Sequence, residues 1–160
     1  MSSSEVFNTP FELGLRMVFL LNALHPRKAD LQTLMYLDYA VIYTGDLNGP
    51  PSLHTPVPLR GAEYISRREI IEQGLYLMAF RAFVDAMATQ EGIKYGIGES
   101  GPALVDLLGG QYNKDLRDRC NWVSEHFGGY TDFQLEEIFG AKGRLWRTHF
   151  IGKEGLPRAV

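Results

Sequence analysis

The chain has 160 residues, 45% hydrophobic and 22% charged, which suits one domain with a real hydrophobic core. Its formal net charge of -3 argues against a dedicated nucleic-acid binder, which is usually basic. Its one cysteine, Cys120, excludes an internal disulfide and points to a reducing compartment.

The N-terminal stretch contains an apolar run, but Glu12 and Arg16 interrupt it. The unbroken piece, Met17 to Leu21, is far too short to span a bilayer, and no basic region precedes it. The expectation is a cytoplasmic protein without a targeting signal. Thr9-Pro10-Phe11-Glu12 reads as a capping box with proline at the first helical position. It predicts a helix over 10–24, apolar around most of its circumference and central to the core. His25-Pro26 ends it.

Asp30 caps a second predicted helix, which runs to about Tyr43 with Leu31, Leu34, Met35, Val41 and Ile42 as its apolar stripe. Asp38 falls on that stripe. A carboxylate there needs a cationic partner, because an unpaired charge in a core is costly. Arg60 and Arg16 are the two candidates. A buried pair that pins the following loop is the expected role for Asp38.

An irregular connection is expected from about Thr44 to Ile65, much longer than the turn of an ordinary helix-turn-helix. It holds four prolines, with Leu47, Leu53, Val57, Leu59, Tyr64 and Ile65 interspersed, so it reads as an ordered loop packed on the body. Asp46, Ser52 and His54 lie within it and could be imagined as a triad. Ser52, however, lacks the Gly-x-Ser-x-Gly elbow that exposes a nucleophile. Asp46, His54 and Arg60 are therefore expected to organise the loop, with His54 bonding a loop carbonyl or capping a turn. Ser66-Arg67-Arg68-Glu69 reads as a second capping box, opening a third helix that continues to about Arg81. That would put Arg67 and Arg68 in the first turn, where the helix dipole disfavours cations; pairing with Glu63, Glu69 or Glu72 and an acidic patch on a partner protein explain this equally well, with a phosphate third. Gly74 within this helix suggests a close helix neighbour.

Phe83 to Thr89 and Ile93 to Ile97, joined by Gln90-Glu91-Gly92, predict a β-hairpin. Ser100-Gly101-Pro102 starts a helix interrupted at Gly109-Gly110. Its long second half sets Tyr112, Leu116, Cys120, Val123 and Phe127 on one stripe, which makes Cys120 a core residue. A short helix over about 132–139 follows, capped by Thr131 or Asp132, and Leu145 to Ile151 is a candidate strand. The fold expectation is mainly α with a small β-hairpin: a winged helix-turn-helix-like domain over 1–139 with a long proline-rich loop and a long C-terminal helix. Residues 140–160 form a basic, aromatic segment of net charge +4, against -7 for residues 1–139.

In a DNA-reading winged helix the third helix enters the major groove. Here its polar positions are Glu69, Glu72, Gln73 and Tyr76, and the wing tip carries Glu91 without arginine. Carboxylates facing phosphates repel, so DNA contact is at most secondary. The four histidines, His25, His54, His126 and His149, show no metal-ligand spacing, and no phosphate-binding glycine motif is present. The expectation is no enzyme activity, no metal and no cofactor. A DNA-binding transcription regulator and a small hydrolase using His54 and Asp46 are the alternatives.

The strings Phe11-Glu12-Leu13-Gly14-Leu15-Arg16, Leu37-Asp38-Tyr39, Gly45-Asp46, Gly49-Pro50-Pro51-Ser52-Leu53-His54 and Arg67-Arg68-Glu69 with Gly74-Leu75 carry a family resemblance. The chain resembles the small middle component of bacterial ABC-three-component defence systems, to which the Lamassu anti-phage systems are closely related. The resemblance spans most of residues 9 to 127 and is most specific in the Gly-Asp…Gly-Pro-Pro-Ser-Leu-His string. It implies a winged-helix-type, non-catalytic subunit of a hetero-oligomer. Its implied partners are an SMC-like ABC ATPase and an effector, often a nuclease, which the middle component bridges and restrains. On that reading Tyr64, Arg67 and Arg68 belong to one partner surface, and Trp146 and Arg147 to a second.

Overall fold

The computed structural model describes residues 9–54 and 60–140, with the side chains of residues 60–66 left out. Helix α1 (Pro10–Leu24) begins where Thr9 accepts the Glu12 amide and ends at His25, whose extended backbone leads into Pro26. Leu13, Met17, Val18, Leu20 and Leu21 are fully buried, so α1 is sheathed on nearly all sides. Helix α2 (Leu31–Ile42) starts at Asp30, whose carboxylate caps the Thr33 amide. A short 3-10 turn, Thr44–Leu47, opens the connection.

Helix α3 (Arg60–Phe80) starts six residues before the expected capping box, so the connection closes at residue 59 and not at Ile65. Ser66 therefore lies inside the helix, and Arg67 and Arg68 are not first-turn residues. A capping box permits a helix start but does not forbid a helix passing through it. From Arg67 onward, Arg67, Ile71, Gly74, Leu75 and Met78 form a buried stripe at helical spacing that holds the helix on the body.

Strands β1 (Val84–Thr89) and β2 (Gly92–Ile97) pair antiparallel from Val84↔Ile97 to Thr89↔Gly92. Tyr95 on β2 also exchanges backbone hydrogen bonds with Ala29, at 2.9 and 2.7 Å, which ties the hairpin to the α1–α2 turn. Helix α4 (Gly101–Leu107) and helix α5 (Gln111–Phe127) are separated at Gly109-Gly110. Helix α6 (Asp132–Phe139) starts at Thr131 in a reciprocal capping box with Gln134. The described residues are thus mainly helical with one two-stranded hairpin, in the order helix, helix, helix, hairpin, helices. The predicted strand at Leu145 to Ile151 lies outside them.

The broadest helix interface is between α1 and α3. Gly14 and Gly74 meet at the crossing: a Cβ on Gly74 would sit 2.6 Å from the Gly14 nitrogen and the Pro10 carbonyl oxygen. Both contacts are to backbone, so a side chain could be admitted only by separating the helices. Among the described residues no helix is long and apolar enough to cross a membrane.

Candidate interaction site

The loop that follows α2 is bound to the body at both levels of the chain, backbone and side chain. Thr44, fully buried, donates from Oγ1 to the Pro50 carbonyl at 2.8 Å. The Gly49 amide donates to the Thr44 carbonyl, and the Leu53 and His54 amides both reach the Ile42 carbonyl. The Gly45 amide donates to Ser52 Oγ at 3.1 Å. Asn48 takes the left-handed conformation, φ 61°, which asparagine tolerates better than most residues and which turns the chain at the loop's tip.

Helix α5 holds the same loop from outside. The Arg119 guanidinium donates twice to the Pro51 carbonyl, at 3.1 and 2.9 Å. Gly49 lies flat on the indole of Trp122, where a Cβ would come within 2.5 Å of the ring. His54 Nε2 and the Tyr112 hydroxyl share a hydrogen bond at 2.9 Å. His54 therefore docks the loop onto a helix, where a bond to a loop carbonyl or a turn cap was the expectation. Tyr112 and Arg119 are two helical turns apart, so α5 presents one continuous face to the loop.

Beneath the loop lies a buried charge cluster. Arg16 and Asp38, 2% and 1% exposed, form a two-pronged pair, Nε to Oδ1 at 3.0 Å and NH2 to Oδ2 at 2.9 Å. Arg67, 4% exposed, adds a third bond to Asp38 Oδ2 at 3.4 Å. Of the two arginines expected for Asp38, Arg16 meets it, and the Arg60 side chain lies outside the described residues. Arg67, expected at an exposed helix start, is instead an interior residue. Its long side chain spans from α3 to α2, which a first-turn position facing solvent would not allow.

Two guanidiniums thus converge on the one Asp38 carboxylate. Burial disfavours ionisation of Asp38, but Arg16 and Arg67 outweigh it and hold its carboxyl below the usual carboxylate range. The same cluster bears on His54, which burial first and the Arg16 charge second push down to about 4. His54 is accordingly neutral at pH 7. Burial and the Asp38 charge push the Cys120 thiol up, which makes it a poor nucleophile.

Asp46, Ser52 and His54 are each engaged with a different group. Asp46 receives the Tyr39 hydroxyl at 3.4 Å, Ser52 the Gly45 amide, and His54 meets Tyr112. Arg68 is exposed and reaches back to Gln32 at 3.1 Å. The side chains of Arg60 and Tyr64 lie outside the described residues, as do Trp146 and Arg147. Among the described residues no group of three or more His, Cys, Asp or Glu side chains could hold a metal ion.

Three residues that fasten the loop, Tyr112, Arg119 and Trp122, carry no motif. Their only signal is their placement along one amphipathic helix, and that signal also fits plain core packing. The family follows from the whole sequence. The family model for the ABC-three component (ABC-3C) system Middle Component 2 matches residues 6–148. The chain belongs to this family. It is a middle component of a multi-subunit system, and the match runs through both the clamped loop and the charge cluster. No curated protein and no solved structure matches the chain.

Proposed function

We propose that this middle component is a non-catalytic scaffold that bridges an SMC-like ABC ATPase and an effector, a nuclease in the reading we favour. It restrains the effector until foreign DNA is sensed, as in Lamassu-type anti-phage defence. The observation that carries this reading is the family match over residues 6–148. The helix–helix–helix–hairpin order is then a winged helix turned from DNA reading to protein docking, working in the cytoplasm.

The clamped loop supports the reading. Its tip, Asn48 to Pro51, is presented in one conformation by bonds from Thr44, Arg119 and the ring of Trp122. A surface ordered before binding loses less entropy on association. With Arg67 committed to Asp38, the first partner surface centres on this tip and on Arg68. The basic segment 140–160, with Trp146 and Arg147, forms the second. The part of α3 beyond Arg68 supports docking to protein too, because its exposed residues are Glu69, Glu72, Gln73, Tyr76, Leu77 and Phe80. That set repels a phosphate backbone and favours an apolar partner.

The test is co-expression of the chain with the ATPase and the effector of its system. A ternary complex is expected, and omitting the chain should separate the other two and raise effector toxicity. Retention of the ATPase by the effector without this chain would overturn the bridging role. Nuclease activity in the isolated chain would overturn the non-catalytic one.

A further inference from the structure

An apolar groove runs along the outer side of α3 and onto one face of the hairpin. Tyr76 and Phe80 are 74% and 86% exposed. They stand above Ala86, Ile93 and Tyr95 and, with Glu72, line a hollow of ≈ 680 Å³. A neighbouring hollow of ≈ 450 Å³ shares Glu72 and Tyr76 and continues to Leu77 and Pro10. On β1 the residue that lines the trough is a small one, Ala86. Ala86 pairs across the hairpin with Tyr95, and Ala88 with Ile93, all on one face. Strands favour β-branched or aromatic residues at such positions, and larger side chains there would fill the space.

Exposed aromatics clustered around a concavity mark a binding surface, whereas scattered ones do not. The charges along the groove narrow the occupant. Glu69, Glu72 and Glu91 are exposed on α3 and at the hairpin tip. Nearby Lys94 is turned away, 3.6 Å from Asp132 and 4.0 Å from Asp30. A second copy of this chain docking through the same face would bring these carboxylates together. We propose that the groove receives a segment of another subunit of the chain's own system. That segment presents two or more large aliphatic or aromatic anchors to Tyr76, Phe80 and Ile93, and a lysine or arginine to Glu72. The inference rests on the scaffold reading above and adds a third contact surface, separate from the loop tip and from residues 140–160.

The experiment uses the full chain co-expressed with the other subunits. Tyr76→Glu with Phe80→Glu should reduce the retained subunit at least tenfold, while the urea midpoint of the isolated chain stays near that of the wild type. Glu72→Lys should weaken retention too, and make what remains less sensitive to salt. A benzophenone side chain at position 80 should crosslink to a lysine- or arginine-flanked apolar segment of one subunit. Crosslinks to a second copy, or to residues 141–160 of the same chain, overturn the assignment. Retention unchanged in the groove variants, with wild type assembling normally, removes this inference alone. Failure of the wild type to retain any subunit removes the scaffold reading together with it.

Discussion

The loop face and the groove face of this middle component treat polar and apolar groups in opposite ways. On the loop face, polar groups lie in the interior and meet partners: Asp38 takes two guanidiniums, and His54 meets Tyr112. On the groove face, large apolar side chains lie in water, with Phe80 almost wholly uncovered. The first arrangement holds one backbone conformation in place. The second gives the isolated chain no stability and gains from apolar burial only when a partner covers it. Substitutions on the two faces should therefore separate stability from assembly.

The largest effect is expected at the centre of the loop face. Asp38→Ala removes the buried carboxylate that Arg16 and Arg67 share and should cost about 3–5 kcal/mol, read from urea denaturation. A loss under about 1 kcal/mol would mean that the cluster is not the anchor described. Next is the crossing beneath both faces. Gly74→Ala should gain about 1 kcal/mol from helix propensity alone. The 2.6 Å approach to the Gly14 and Pro10 backbone should reverse the sign, for a net loss of about 1–3 kcal/mol in thermal melts. A stabilised variant would show that the helices part freely.

His54 supplies a pH test of the loop face. Its folded value of about 4 lies below the ordinary histidine value, so the unfolded chain binds the extra proton first. The stabilisation is complete above about pH 6.5 and is lost as pH falls towards 4, on the order of 2 kcal/mol in all. His54→Gln should flatten that part of the stability profile between pH 7 and 5. Asp38, whose value is lowered, adds a loss only at more acidic pH. Smaller still, Arg119→Ala removes two bonds to Pro51 and should cost about 1 kcal/mol, with faster amide exchange confined to residues around Gly49. Smallest on stability is Phe80→Glu, expected within about 0.5 kcal/mol of wild type. A large destabilisation there would show that the groove face is structural after all.

Much of this fold is legible along the chain because its elements carry local signals. The Thr9, Asp30 and Thr131 caps, the Gly92 turn and the Gly109-Gly110 break are each short-range chemistry, and the elements begin and end there. Ser66 to Glu69 misleads for the same reason. It has the residues of a capping box, but a cap motif permits a helix start and does not forbid a helix passing through. Asp38 could be recognised as needing a cation from its place on an apolar stripe. Which cation could not, since Arg16 and Arg60 both satisfied that demand on paper. The groove was less legible still, because Tyr76 and Phe80 read as ordinary helix residues until the hairpin's alanines are folded against them.

The amino-acid order alone determined the helices, the hairpin, the family strings and the requirement that Asp38 be paired. Each depends on neighbours within a few residues, or on a single burial pattern. Folding in three dimensions decided that Arg67 points inward, that α5 fastens the proline loop through Tyr112, Arg119 and Trp122, and that one face is left apolar and open. Those outcomes join side chains tens of residues apart, and their energies come from desolvation and close packing, which exist only once distant segments meet.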